Sequence, residues 1–296
     1  MSDQTPPKGE AVLASPVVAA WELALRLRQQ RDQLGVEVKT ITQALGFSRN
    51  YWSAVENERK VLSEESLIKL MELLEFDEEE RQELLELRMA AKERGWWTRY
   101  GTLLDSDLQR LIGLEAGAET VRCYESLLIP GMLQTEDYAR AIMTPDATIR
   151  KVEVDQRIQV RLRRQERFVD ENPLKMIAII SEAALRQQIG GPAVLRDQLM
   201  HLARNIEERE DRLEVRVIPF TATACGLFGA ATVHLIEFPN PRLPTVGWQE
   251  TVTTRGVITE SGQVRDIMLT YQDALKNTLS AQQSLELLHQ RIKELD

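Results

Sequence analysis

The stretch Val38-Lys-Thr-Ile-Thr-Gln-Ala-Leu-Gly-Phe-Ser-Arg-Asn-Tyr-Trp-Ser-Ala-Val-Glu56 decides how the first third of the chain folds. Val38, Ile41, Thr42 and Leu45 recur at helical spacing as one apolar-to-small face. Gly46 and Phe47 break that run, and Ser48 is placed to cap a second helix, because its hydroxyl accepts from exposed first-turn amides. In the second helix Tyr51, Trp52 and Val55 are expected inward, while Arg49, Asn50, Ser53 and Asn57 point elsewhere. Two short helices joined by a tight glycine turn, the second polar on its free face, form a helix-turn-helix. The small Thr42 suits two helices that cross closely.

Helical patterns flank this pair. A helix from about Ala19 to Leu34 would carry Trp21, Leu23, Ala24, Leu27 and Leu34 inward and end at Gly35. Ser63-Glu-Glu-Ser66 has the spacing of a capping box ahead of Leu67, Leu70, Met71 and Leu74. Phe76 and the acidic run Asp77–Glu80 open a fifth helix towards Ala91. Residues 21–76 resemble the heads of the XRE class, the phage-repressor and Cro-like DNA-binding domains. The resemblance rests on Leu45, Gly46, Phe47, Ser48, Arg49, Asn50, Tyr51, Trp52, Ser53 and Glu56. Val38 stands where that class usually has Gln, and Glu58 where it usually has Gly. By this likeness Arg49, Asn50 and Ser53 would read base edges from the N-terminal turn of the recognition helix. Lys39, Thr40, Tyr51, Arg59 and Lys60 would anchor phosphates, with Ser48 and Asn57 completing the double-stranded DNA interface.

Charge bears on that expectation. The chain of 296 residues has a formal net charge of -9, which argues against binding nucleic acid over its whole surface but not against a local basic footprint. Trp21–Leu62 holds seven Lys or Arg and five acids, whereas residues 63–88 hold ten acids and three bases. The acid excess therefore follows the helix-turn-helix, where the fold should turn from the duplex. A weakly basic head implies that two act together, so a homodimer is expected. Only Cys123 and Cys225 are present, as expected of reduced thiols in a cytoplasmic protein. No apolar run is long enough to span a membrane and no signal peptide is expected.

Residues 1–18, with three prolines and no periodicity, read as a disordered tail. Residues 19–91 are the all-α five-helix head, 92–105 a linker, and 106–296 an α+β regulatory or partner-binding domain. Trp96-Trp97-Thr-Arg-Tyr100 reads as linker aromatics docked on a neighbouring domain, or else as a partner contact. Beyond it, 120–126, 174–180, 213–219, 231–238 and 246–250 alternate as strands. Helices are expected over 106–118, from Thr135, over 183–189, 192–206, 262–279 and 281–295. Gly190-Gly191-Pro192 could bind an anion at a helix start, but a turn is the better reading. Arg157, Arg161 and Arg164 lie along one helix face. They read either as a solvated face pairing with Glu153, Glu166, Asp170 and Glu171, or as a basic stripe for DNA phosphate or an acidic partner.

The later region carries its own resemblance. Glu125, Pro130-Gly131-Met132-Leu133-Gln134-Thr135, Tyr138-Ala139-Arg140, Arg161, Arg164-Gln165-Glu166 and Ile180-Ser-Glu182-Ala-Ala-Leu185 carry its first half. Gly190-Gly191-Pro192, Gln198-Leu199, Val217-Ile218-Pro219-Phe220 and Leu279–Leu288 follow in order. Together they resemble the WhiJ-like and Scr1-antitoxin-like domains found behind XRE heads in actinobacterial regulators, while Thr251–Ser261 departs from that pattern. The likeness implies transcriptional regulation, often beside a small partner protein encoded nearby. A rival reading is an antitoxin-like module that neutralises such a partner and binds DNA only to regulate itself; a small-molecule sensor is a third. His201, His234 and His289 are scattered, and neither a phosphate-cradling glycine loop nor a nucleophile elbow is present. No catalytic residue, metal site or cofactor is expected.

Overall fold

The computed structural model describes residues 15–295. The chain divides after Thr98 into two compact units. Most of the expected tail, residues 1–14, lies outside the described residues.

The first unit is helical. It comprises α1 (Pro16–Gln33), α2 (Val38–Leu45), α3 (Arg49–Glu56), α4 (Glu64–Leu73) and α5 (Glu78–Lys92). α1 opens at Pro16, with Ser15 before it, so Pro16–Val18 belong to the helix; proline's fixed φ and missing N–H suit a first helical turn. Leu23, Leu27, Ile41, Trp52, Val55, Leu67, Leu70 and Leu84 form one core, and full burial of each such side chain contributes about 1.5–3 kcal/mol. Leu34 was expected inward but is 42% exposed, because α1 stops just before it. Ser63 does cap α4, accepting from the Ser66 amide, but its reciprocal partner is the Ser66 hydroxyl at 2.8 Å and no carboxylate. The reciprocal capping box instead starts α5, between Asp77 and Glu80. α1 and α5 are joined by Arg26 and Glu83 at 2.7 Å, while Arg88 of α5 donates to the Leu62 carbonyl and pairs with Glu64.

The second unit is a six-stranded mixed sheet with helices. Its strands are β1 (Thr120–Glu125), β2 (Lys175–Ser181), β3 (Leu213–Ile218), β4 (Thr232–Glu237), β5 (Val246–Glu250) and β6 (Arg255–Ile258), in the order β3-β2-β1-β4-β5-β6. β1, β2 and β3 run parallel, and β4, β5 and β6 continue antiparallel from β1. The helices are α6 (Ser106–Ala116), α7 (Glu136–Met143), α8 (Val154–Arg164), α9 (Glu182–Arg186), α10 (Pro192–Glu208), α11 (Ser261–Leu275) and α12 (Ala281–Glu294). α11 covers one face, where Val264, Tyr271 and Ala274 meet Tyr124, Ile179 and Leu235; the Tyr271 hydroxyl donates to the Ile177 carbonyl at 2.7 Å. The other face presents Cys123, Ala178, His234 and Trp248, all buried. Gly190 takes a left-handed φ of 74°, and a β-carbon there would lie 2.8–2.9 Å from Val194 and Ala141, so the glycine pair makes the turn ahead of α10.

Both cysteines are free thiols. Burial, with Glu125 and Glu115 nearby, pushes the Cys123 thiol well above its usual range. Among the described residues no helix is long and apolar enough to cross a membrane.

Candidate nucleic-acid interface

The turn between α2 and α3 is set by Gly46, which takes a left-handed φ of 69° at the end of α2. The Phe47 amide then donates back to the Thr42 carbonyl at 2.9 Å. Ser48 stands in extended backbone and its hydroxyl accepts from the Tyr51 amide at 3.1 Å, starting α3 as its sequence implied. Trp52 and Val55 are buried under α3. Tyr51 is only half-buried, which corrects the inward placement. Its ring stacks on Phe47 with centroids 4.4 Å apart, and the Lys60 ammonium lies 4.8 Å from the ring centroid. That cation–π contact places one positive charge beside the first turn of α3.

The outer row of α3 is Arg49, Asn50, Ser53 and then Asn57, all exposed, at the i, i+1, i+4 and i+8 positions that share a helix face. Arg49 and Asn50 make no side-chain hydrogen bond or ion pair among the described residues. Asn57 is less free: its amide donates to the Ser53 carbonyl at 2.7 Å and approaches the Ser53 hydroxyl at 3.3 Å. Lys39, Thr40 and Arg59 are exposed as well. Ser48 is exposed but its hydroxyl is engaged by the cap. The positive N-terminal end of α3 adds a partial charge attractive to phosphate.

Sequence reasoning missed what holds this row in place. Arg31 of α1 pairs with the Glu56 carboxylate, and Arg28 donates to the Glu56 carbonyl at the end of α3. A guanidinium on the last carbonyls of a helix complements its negative end. With Arg26 on Glu83, three of the seven bases counted in this segment therefore face internal partners. Lys39, Arg49, Arg59 and Lys60 are the four left exposed to solvent. The separations, 25 residues from Arg31 to Glu56 and 28 from Arg28, leave no local sequence signal.

The arginines expected as a stripe on α8 behave otherwise. Arg164 makes two hydrogen bonds, of 2.7 and 2.8 Å, to Glu115 of α6, whose side chain is 2% exposed. Arg161 donates to Gln134 at 2.6 Å. Arg157 pairs with Glu153 at 3.1 Å and donates to the Leu103 carbonyl at 2.8 Å. The expected pairing with Glu153 is present at Arg157, but Glu153 is buried and the pair is no solvated face; Arg161 and Arg164 turn inward because buried acceptors, not surface acids, lie within their reach. Trp97, in the 3-10 turn Trp96–Tyr100, is buried with Trp96 edge-on at 5.9 Å.

Residues 22–84 match the family model described as a Helix-turn-helix domain. Residues 108–290 match the one described as Domain of unknown function (DUF5753), which spans more than half of the chain; the chain belongs to that family. No curated protein matches the chain, and no solved structure does either.

Proposed function

We propose that this member of the DUF5753 family, led by its helix-turn-helix domain, is a sequence-specific transcriptional regulator that reads DNA with α3. The observation that carries the reading is the exposed row Arg49–Asn50, unpartnered at the positive end of a helix that Arg28 and Arg31 fix from behind. Arg can donate two hydrogen bonds to guanine and Asn can pair in both directions with adenine, each contact being worth about 1–3 kcal/mol of discrimination. Lys39, Thr40, Arg59 and Lys60 would position the head on phosphates without reading sequence. Tyr51 would act mainly by seating Lys60. The larger domain would pair two heads and respond to a small partner protein or ligand, in keeping with its WhiJ-like and Scr1-antitoxin-like resemblance. The reading assigns it no catalysis.

The test is fluorescence anisotropy on the duplex upstream of the chain's own gene, across a salt series, with wild type and the double variant Arg49→Ala, Asn50→Ala. Wild type is expected to prefer this duplex over a scrambled one, and the double variant to lose that preference by about 10-fold or more. Up to four phosphate-facing cations per head imply a slope of log K against log salt near -3 to -4 for one head, and about twice that for two. Selectivity that survives the double substitution would overturn the assignment of the reading residues.

A further inference from the structure

The two edges of the sheet are finished differently. At β3 the chain covers its own edge: the Val217 amide donates to the Ser284 hydroxyl of α12 at 3.0 Å, and the Val217 carbonyl accepts from the Leu279 amide at 2.8 Å. β6 is the other edge, and it pairs with β5 alone. Which of its groups face outward follows from the hairpin. The Thr251 amide donates to the Thr254 carbonyl at 2.8 Å, so these two residues form a hydrogen-bonded pair. Such pairs alternate along an antiparallel ladder, so Gly256 and Ile258 bond across to Gln249 and Gly247. Arg255 and Val257 therefore turn their amides and carbonyls away from β5, and none of these groups has a partner among the described residues.

Open edges are usually blunted by proline, lysine, a bulge or a covering segment. The β5–β6 register runs without a bulge, and residues 251–259 include neither proline nor lysine. Seven of those nine residues are Thr, Val or Ile, the β-branched types that favour extended pairing. The same stretch departs from the WhiJ-like pattern. Its one charge, Arg255, is drawn to Asp105 and Glu250. Residues 251–255 are exposed and 256–258 partly so. A β-carbon added at Gly256 would meet no atom within 4 Å.

We infer that β6 is a self-association edge: a second copy of this chain adds its own β6 antiparallel, about a twofold axis at Gly256, and joins two six-stranded sheets into one. The number and spacing of the outward groups select a copy over a foreign strand. In this register each Arg255 faces Val257 of the second copy, so every outward amide and carbonyl of both strands is used. An offset or parallel strand leaves some of them unmet. The two glycines meet on the axis as a non-hydrogen-bonded pair, where strands approach most closely. Arg255 stands opposite valine and not its own symmetry mate, so like charges are not directly opposed. Copies that each carry a net charge of -9 repel one another, and residues 251–259 bring one base and no acid to the contact. A twofold contact is closed, so association stops at the dimer. The inference rests on the DNA reading for its purpose, the pairing of two heads. It is measured without DNA, so its failure and that of the DNA reading are distinguishable.

The experiment is light scattering on the full chain as it elutes from a sizing column, over a concentration series into the high micromolar range, with wild type and Val257→Pro. Proline there removes only an outward amide, and edge strands tolerate it. Wild type is expected to approach twice the monomer mass, and Val257→Pro to stay at the monomer mass. Gly256→Cys keeps the test decisive where the proline variant does not fold. Non-hydrogen-bonded partners stand about 4.5 Å apart between α-carbons, within the span of a disulfide. Mild oxidation should therefore link Gly256→Cys into a covalent dimer much faster than Thr253→Cys on the same hairpin, over the background of wild type, whose Cys123 and Cys225 are free. A wild type that is monomeric throughout the series would overturn the inference. So would a dimer that persists in a folded Val257→Pro, or cross-linking no faster at position 256 than at 253.

Discussion

Glu58 is the position at which the head is most open to improvement. It follows α3 with a φ of 62°, in the left-handed region, where its amide donates to the Val55 carbonyl at 3.0 Å and the next two amides return to Ala54. For an L-residue with a β-carbon that conformation costs about 1–2 kcal/mol. Glycine escapes the cost but gives back about 0.5–1 kcal/mol through its freer unfolded chain. Glu58→Gly is therefore expected to stabilise the head by about 0.5–1 kcal/mol, or roughly 3–6 °C in Tm for a domain of this size. Glu58→Ala keeps the β-carbon and reports separately on loss of the carboxylate. Gly46→Ala runs the same argument backwards. Its φ is 69° and nothing lies within 4 Å of the added β-carbon, so the conformational cost of about 1–2 kcal/mol acts alone. Scanning calorimetry of the full chain should show one transition rising in Glu58→Gly, falling in Gly46→Ala and not rising in Glu58→Ala. If Glu58→Gly left that transition unmoved or lowered it, or if Glu58→Ala raised it equally, backbone strain at Glu58 would not be the cause.

Two further outcomes follow from the larger domain. Glu115→Gln leaves the Arg164 charge without its partner in the interior, at a cost of about 3–5 kcal/mol in urea unfolding; a loss under about 1 kcal/mol would mean that water reaches the pair. Glu153 is held below its ordinary 4.5 by its hydrogen bond from Arg150 and, against the pull of burial, by Arg157. A lowered carboxylate pKa stabilises the fold above the unfolded value and loses that contribution as pH falls through the folded one. The Tm deficit of Glu153→Gln should thus be flat from neutral pH down to about 5 and shrink below about 4.5, and a deficit that grows on acidification would contradict the assignment.

What was legible in the sequence was local. Ser48, Ser63 and Thr135 announce helix starts by chemistry confined to one turn, and each accepts the amide three residues on. The five-helix head and five of the six strands follow from periodicities of 3.6 and 2. β6 (Arg255–Ile258) was missed because only four residues form it and its pattern is mostly half-exposed, leaving no apolar alternation. Strand order was unreadable for another reason. β1 lies between β2 and β4, so the chain crosses from one side of the sheet to the other after β3, and no spacing encodes that step. The departure of Glu58 from glycine was visible; that its backbone nevertheless takes the glycine conformation was not.

The arginines show why residue type and spacing alone misassign a charged face. Arg49 in α3 and Arg161 and Arg164 in α8 sit on short helices and look alike in sequence, yet only Arg49 is left to solvent without a partner. What separates them is an acceptor within reach of the side chain, and that acceptor is set by the fold: Glu115 lies 49 residues before Arg164, and Gln134 lies 27 before Arg161. The same logic alters the electrostatics of the head. Glu56 is neutralised by Arg31, and Arg26 by Glu83, so neither pair adds much field at the surface. A cation left exposed at the first turns of α2 and α3 or just after α3 is offset only by acids within roughly 10 Å, such as Glu37 near Lys39 and Glu58 beside Arg59, because more distant charges are screened at ordinary salt. The formal charge of -9 is thus a property of the whole chain, whereas a DNA phosphate would meet the local one.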